Sequence, residues 1–139
     1  MMTGHSQMRV SMRLAGAMLP LVFAWPQFAV AQSPHEIFCT MATEAAARAN
    51  AAGPVTVDAM TTQERVEVTC ETKTIVAHFV RKDTAASQPQ GWQDSWRDKL
   101  SAAYCGDPAT RDVIAKGWTL AETTTFADGV VFEIKAACE

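Results

Sequence analysis

The residues of this chain best suited to covalent chemistry are four cysteines: Cys39, Cys70, Cys105 and Cys138. They lie 31, 35 and 33 residues apart and include no Cys-x-x-Cys, so neither a redox motif nor a zinc site is indicated. An even number of cysteines in an exported chain is typical of structural disulfides. Four cysteines allow three connectivities. We favour Cys39 with Cys70 and Cys105 with Cys138, because each bridge would join a helix, or its end, to the next segment of sheet.

Side chains for acid, base or nucleophilic catalysis are few. His35 lies in the first turn of a predicted helix, where we expect it to be exposed. His78 lies inside a predicted strand, and a structural role is favoured because no serine or cysteine nucleophile motif accompanies it. The sequence has no Gly-rich phosphate loop, no His-x-x-x-His and no Gly-x-Ser-x-Gly. We therefore predict no catalytic residue, no metal ligand and no cofactor.

The aromatic residues are the best candidates for binding: Trp92, Trp96, Tyr104 and Trp118. Tryptophan is enriched at the hot spots of protein interfaces. Burial in the core is the competing interpretation, and the helical spacing of Trp92 and Trp96 favours it. If one of these residues is exposed, we expect it to be Trp92, because a polar connector precedes it.

The start of the chain has the features of a signal peptide. Arg9 and Arg13 precede an uncharged stretch over residues 14–25, which is short for a membrane span, and Ala29-Val30-Ala31 follows. We predict cleavage after Ala31; the alternative is an uncleaved anchor. No cysteine stands at the cleavage site, so a lipid anchor is not indicated. The predicted organisation is a signal peptide over residues 1–31 and a single domain over residues 32–139, located in the periplasm or secreted.

Removal of this leader makes the chain more acidic. Lysine plus arginine falls from 12 to 10 while the 15 acidic residues stay, which gives a formal charge of 10 − 15 = −5. Nucleic-acid binding needs basic groups that neutralise phosphates, so it is not expected. Nor is attraction to anionic lipid expected. The remaining 108 residues (139 − 31) suffice for one domain with a modest core, which disulfides would stabilise.

The first half of the predicted domain contains one helix and two or three strands. Ser33-Pro34-His35-Glu36 is a capping box that begins the helix, and Gly53-Pro54 ends it. The apolar period then changes to two over residues 55–81, which predicts strands. A two-residue turn at Thr72-Lys73 would place Cys70 opposite Ile75.

The second half contains two helices and a hairpin. Trp92, Trp96, Leu100 and Ala103 form one apolar stripe of the first helix. Asp107-Pro108 begins a short second helix that Gly117 ends. In the hairpin, a three-residue loop over residues 127–129 would place Glu122 opposite Ile134 and Thr124 opposite Phe132. The predicted fold class is α+β: an antiparallel sheet with helices packed on one face, in the order α-β-β(-β)-α-α-β-β.

Caps, turns and apolar positions recur through the C-terminal third: Tyr104-Cys105-Gly106-Asp107-Pro108, Arg111, Ile114, Gly117, Asp128-Gly129, Ile134 and Cys138. This series resembles the C-terminal half of two groups of small exported α+β proteins, the pilotins of type II secretion and a family of quorum-sensing-regulated virulence factors. The resemblance implies a short helix, a hairpin and a bridge between Cys105 and Cys138. The lipidated cysteine that generally sorts pilotins has no counterpart here.

Two functional hypotheses follow. The first is a non-catalytic periplasmic or secreted accessory domain that binds another envelope or extracellular protein, as a secretion accessory, inhibitor or immunity-like factor, through a groove or a tryptophan face. The alternative is a small enzyme or ligand carrier with a pocket near His78, between sheet and helices. We favour the first, because no catalytic constellation is visible in the sequence.

Overall fold

The computed structural model describes residues 31–139, so the predicted signal peptide, apart from Ala31, lies outside the described residues. The helices and strands are α1 (Pro34–Ala51), β1 (Val55–Thr56), β2 (Thr61–Thr69), β3 (Thr74–Arg81), α2 (Trp92–Gly106), α3 (Pro108–Ala115), β4 (Thr119–Thr125) and β5 (Val131–Lys135), with a short 3-10 turn at Ala85–Ser87. The predicted α+β class and element order are confirmed.

The predicted helix caps are confirmed. The Ser33 hydroxyl accepts a hydrogen bond from the Glu36 amide at 3.2 Å, and the Ser33 amide donates to Glu36 Oε2 at 2.6 Å. This reciprocal pair satisfies two amides that the first turn of α1 leaves without partners. At α3, the Asp107 carboxylate accepts from the amide of Ala109 and from the hydroxyl of Thr110. Both helices therefore begin where the sequence places a capping residue before a proline.

The five strands form one sheet in the order β1-β2-β3-β4-β5. The pairs β1–β2, β2–β3 and β4–β5 are antiparallel, as predicted, whereas β3 and β4 are parallel. The physical reason is the connection between them. Because α2 and α3 run back over the sheet before β4 starts, the chain re-enters the sheet at the end where β3 begins.

The registers of the β2–β3 and β4–β5 hairpins can be compared with the predicted turns. In β4–β5, Glu122 lies opposite Ile134 and Thr124 opposite Phe132, and Gly129 has a φ of 81°, so that prediction is confirmed. The predicted pairing of Cys70 with Ile75 is wrong, because Val68 occupies that place. The loop includes four residues between paired Thr69 and Thr74. A shift of two residues keeps the side chains from Arg65 to Thr69 on their predicted faces, and a bulge between Gln63 and Arg65 changes the register before them.

All three helices contact the same face of the sheet, as predicted. The core lies under α2 and contains Leu100, Phe126, Phe132 and Ile134, with Trp92, Trp96 and Tyr104 packed against it. The apolar stripe of α2 therefore ends at Tyr104, whereas Ala103, which was predicted to belong to it, is exposed. The repeat of four residues from Trp92 to Tyr104 turns Ala103 away from the sheet.

Both favoured disulfides are present. Cys39 in α1 joins Cys70 directly after β2, with a Cα–Cα distance of 5.8 Å. Cys105 in α2 joins Cys138 after β5, with a Cα–Cα distance of 5.5 Å. Each bridge thus ties a helix to a strand end on the helix-bearing face.

Two further properties concern residues 31–139 alone. None of their helices combines the length and the apolar character that spanning a membrane would need. Within the same residues, no three histidine, cysteine, aspartate or glutamate side chains are grouped so as to hold a metal ion.

Candidate functional site

A groove of about 340 Å³ lies on the helix-bearing face beside α2. We call it the α2 groove and define it by six of its lining residues: Val57, Phe79, Arg81, Trp96, Leu100 and Glu122. Strand β3 supplies Phe79 and Arg81, β4 supplies Glu122, and α2 supplies Trp96 and Leu100. Alternate residues of a strand share one face of the sheet, and residues four apart share one face of a helix. These side chains therefore point toward one another.

The groove opens toward β1, an edge strand of the sheet. This strand consists of Val55 and Thr56 alone, and both residues pair with β2. Val55 and Val57 are 54% and 56% exposed, and Met60 in the following turn is 38% exposed. Exposed apolar side chains at an edge strand are a feature of protein-binding sites, since an edge also presents unpaired backbone groups.

Arg81 forms a rigid wall of the groove. Its guanidinium donates to both carboxylate oxygens of Asp83, at 2.7 and 2.6 Å, and to the Thr61 hydroxyl at 2.8 Å. It also lies 5.3 Å from the ring centroid of Trp96, within cation–π range. The hydrogen bonds from Arg81, with one from Gln88, hold the pKa of Asp83 at about 2. A bidentate pair stacked on an indole fixes this wall in place.

Glu122, which lines the groove, forms a hydrogen-bonded pair with Tyr104 of α2. The Tyr104 hydroxyl donates to Glu122 Oε1 at 3.2 Å. Burial raises the pKa of Glu122, although the bond from Tyr104 opposes that rise. Burial, together with the charge of Glu122, raises the pKa of Tyr104 to about 12. Glu122 therefore presents a carboxylate acceptor to the groove.

The structure separates the four predicted binding residues into two places. Trp92, Trp96 and Tyr104 lie half-buried on the inner face of α2, where Trp92 packs at 4.7 Å against Phe132. Of these, Trp96 lines the α2 groove. Trp118 is only 5% exposed and lies beneath the start of α1, in edge contact with Phe38 at 4.8 Å. None of the four is exposed, so the expectation that an exposed member would be Trp92 is not tested.

The two histidines lie in different surroundings. His35 is half-buried against the Trp118 ring at 5.6 Å, so the prediction that it is exposed is wrong. Trp118 reaches His35 because β4 begins directly beneath the first turn of α1. His78 lies on the face of the sheet that carries no helix, with Nε2 at 3.3 Å from Glu67 Oε2. It lines none of five separate cavities of residues 31–139, so the alternative of a pocket near His78 is not supported.

Sequence reasoning did not single out Arg81 or Glu122 as members of a site. For Glu122 a signal exists, because the hairpin register places this carboxylate on the apolar face opposite Ile134. Charged residues are rare at core-facing positions, so this position could have identified Glu122 as a candidate site residue. For Arg81 there is no comparable signal, since its contact with Trp96 joins two segments that no local pattern connects.

No protein family matches the sequence of this chain, and no curated protein does. Two solved structures are similar in fold. A protein of Pseudomonas aeruginosa described as secreted superposes with a TM-score of 0.59 at 16% identity, over 75% of this chain and 93% of its own. The pilotin EpsS of the Vibrio vulnificus type 2 secretion system superposes with a TM-score of 0.52 at 16% identity, over 73% of this chain and 92% of its own. The resemblance found in the C-terminal third is therefore confirmed at the level of fold, in which this chain is similar to a secreted protein and to a secretion pilotin.

Proposed function

We propose that residues 32–139 are a non-catalytic accessory domain that works outside the cytoplasm and binds another protein in the α2 groove. The observation that carries this proposal is the open side of the groove, where Val55 on edge strand β1 and Val57 directly after it stay more than half exposed. Exposed apolar side chains that continue into a cavity cost free energy in water, and a partner that covers them offsets that cost.

The shape of the groove suits a segment of polypeptide. Its floor offers the apolar side chains of Phe79, Trp96 and Leu100, and its volume is about 340 Å³. The free edge of β1 offers backbone groups to an extended segment, as in β-strand addition. The likeness to a pilotin supports a component of an envelope assembly as the kind of partner.

Export is the second part of the proposal. Two disulfides among the described residues support an oxidising compartment. Cleavage after Ala31 would leave Gln32 at the new N-terminus, directly before the Ser33 cap of α1. N-terminal sequencing of the exported protein tests this: a start at Gln32 supports it, and a retained leader contradicts it.

A capture experiment tests the groove. Val57→Asp places a charge at its mouth, and Val131→Asp is a matched control, because Val131 is 60% exposed and lies on the opposite face of the sheet. The exported wild-type protein serves as bait in an envelope extract. We expect it to recover a protein in stoichiometric amount, the Val131→Asp variant to recover the same protein, and the Val57→Asp variant to lose it.

Two outcomes would contradict the proposal. Recovery of no stoichiometric partner by the wild type argues against protein binding itself. Equal recovery by both variants argues that a partner binds elsewhere on the surface. Circular dichroism of the two variants shows that any loss is not caused by unfolding.

A further inference from the structure

A second cavity, of about 310 Å³, lies at the N-terminal end of α1. We call it the Trp118 pocket. Phe38, Val113 and Trp118 form its apolar part, and its polar part consists of His35, Lys73, Lys116 and Asp112. Its walls come from α1, α3, the β2–β3 loop and the segment before β4, none of which contributes an aromatic side chain to the α2 groove.

The two lysines of the pocket differ in their partners. Lys116 Nζ donates to Asp112 Oδ2 at 2.6 Å, so its charge is paired. Lys73 Nζ donates only to the carbonyl oxygen of Lys116, at 3.4 Å, and no carboxylate of the described residues lies within ion-pair distance of it. Lys73 is half-buried. An ammonium without a counter-ion is available to pair with a bound anion through charge-assisted hydrogen bonds.

The backbone at Lys73 is also unfavourable for a lysine. Its φ of 52° lies in the left-handed region, which glycine adopts without steric cost. Such outliers cluster at functional sites, where the side chain outweighs the strain. Neighbouring contacts hold this residue in place: its carbonyl accepts from the Thr119 amide at 2.8 Å, and its Nζ lies 3.9 Å from where a side chain at Gly117 would begin.

His35 adds an unpaired polar atom to the same wall. Its Nδ1 is buried and has no hydrogen-bond partner among the described residues. Buried polar atoms in native proteins nearly always have partners, and the exceptions call for an explanation such as a ligand site. The imidazole, the Lys73 ammonium and the Trp118 ring therefore combine polarity, positive charge and an aromatic floor in one cavity.

We propose that the Trp118 pocket binds a small carboxylate with a planar apolar body. The carboxylate pairs with the Lys73 ammonium, and the apolar body lies against Phe38 and Trp118. The volume of about 310 Å³ is at the lower end of small-molecule sites, which run from roughly 300 to 1,000 Å³, so it suits a body of about one ring. This site is separate from the α2 groove and does not depend on protein binding there.

Phenylacetate and its neutral isostere phenylacetamide are the probes. Each is titrated into the exported protein while the indole N–H resonance of Trp118 is followed by NMR. Because a hydrogen bond to a charged group contributes more than a neutral one, we expect phenylacetate to bind at least about tenfold more tightly than phenylacetamide. The Lys73→Met variant keeps the side-chain stem and removes the ammonium, so its affinity for phenylacetate should fall to that for phenylacetamide.

The Lys82→Met variant is the matched control, since Lys82 is exposed and lies beyond the other end of β3. It should bind phenylacetate as the wild type does. The proposal is overturned if phenylacetate at millimolar concentration leaves the Trp118 resonance in place, if the two probes bind equally, or if Lys73→Met binds phenylacetate as the wild type does.

Discussion

Glu122 is a carboxylate held among apolar side chains, and its raised pKa has a consequence for stability. Because the folded protein binds this proton more tightly than the unfolded chain does, stability falls as pH rises through the interval above the ordinary glutamate pKa. Glu122→Gln removes that loss and can still accept from Tyr104. We expect its melting temperature to exceed that of the wild type at pH 7 and to match it near pH 4.

Thermal unfolding followed by circular dichroism at both pH values measures this effect. Glu133→Gln is the control, because Glu133 is exposed on the neighbouring strand β5. It should leave the pH dependence unchanged. A Glu122→Gln variant that is less stable than the wild type at pH 7 would contradict the role assigned to burial.

The pKa of Asp83 is shifted in the opposite direction from that of Glu122, so its effect on stability has the opposite dependence on pH. Its pKa is lowered to about 2, chiefly by the hydrogen bonds from Arg81, so its contribution to stability is complete above the ordinary aspartate pKa and is lost as pH falls toward 2. Asp83→Asn should therefore lower stability at pH 7 and weaken the loss of stability between pH 4 and pH 2. Urea unfolding at a series of pH values measures both.

Asp94→Asn is the control, because the Asp94 carboxylate is 84% exposed and pairs with Arg97. It should change neither the stability at pH 7 nor its loss at low pH. If it does, the effect is not specific to Asp83.

At the scale of elements, α1 completes the edge of β2. Strand β1 pairs only with Thr62 and Gln63, so the outer edge of β2 is free beyond them. The Asn50 side chain of α1 bonds the backbone of β2 at this free edge. Its Nδ2 donates to the Val66 carbonyl at 2.9 Å, and its Oδ1 accepts from the Val66 amide at 2.8 Å. One asparagine thus imitates the pair of backbone bonds that a further strand would make.

Asn50→Ala removes both bonds. We expect the free energy of unfolding to fall by about 1 to 3 kcal/mol, since each of the two hydrogen bonds contributes roughly 0.5 to 1.5 kcal/mol. Urea denaturation measures it. Glu44→Ala on the exposed side of the same helix is the control and should have little effect. Equal stabilities of the two variants would show that the Asn50 contact with β2 contributes nothing.

At the scale of the whole molecule, the core is thin. Among the described residues no large side chain is less than 2% exposed, and the buried hydrophobic set contains eight residues. A domain of this size therefore depends on its cross-links. Removing the bridge that spans 33 residues, by Cys105→Ala with Cys138→Ala, should lower the free energy of unfolding by about 3 to 4 kcal/mol.

Urea denaturation with and without a reductant measures this loss. Full reduction of the wild type should lower its stability further than the double variant does, because it also opens the bridge between Cys39 and Cys70. Each bridge removes two hydrogens, so intact mass under non-reducing conditions should be about 4 Da below that of the reduced protein. A protein exported with free thiols would contradict the oxidised framework.

The sequence by itself determined the local features of this protein. Ser33 and Asp107 cap their helices, Gly129 closes the final hairpin, and the alternation in β4 and β5 sets their register. Each depends on interactions between residues a few positions apart, which is why the pattern predicts them. The preference for bridges between neighbouring segments also led to the correct pairing of the cysteines.

Only the tertiary structure decided which distant segments meet. The parallel pairing of β3 with β4, the wall that Arg81 forms against Trp96, and the assembly of the Trp118 pocket all join residues from separate elements. Spacing along the chain contains no information about such contacts, because they depend on how α1, α2 and α3 pack across one face of the sheet. The position of β4 beneath the start of α1 likewise buries His35, which the capping pattern alone placed at the surface.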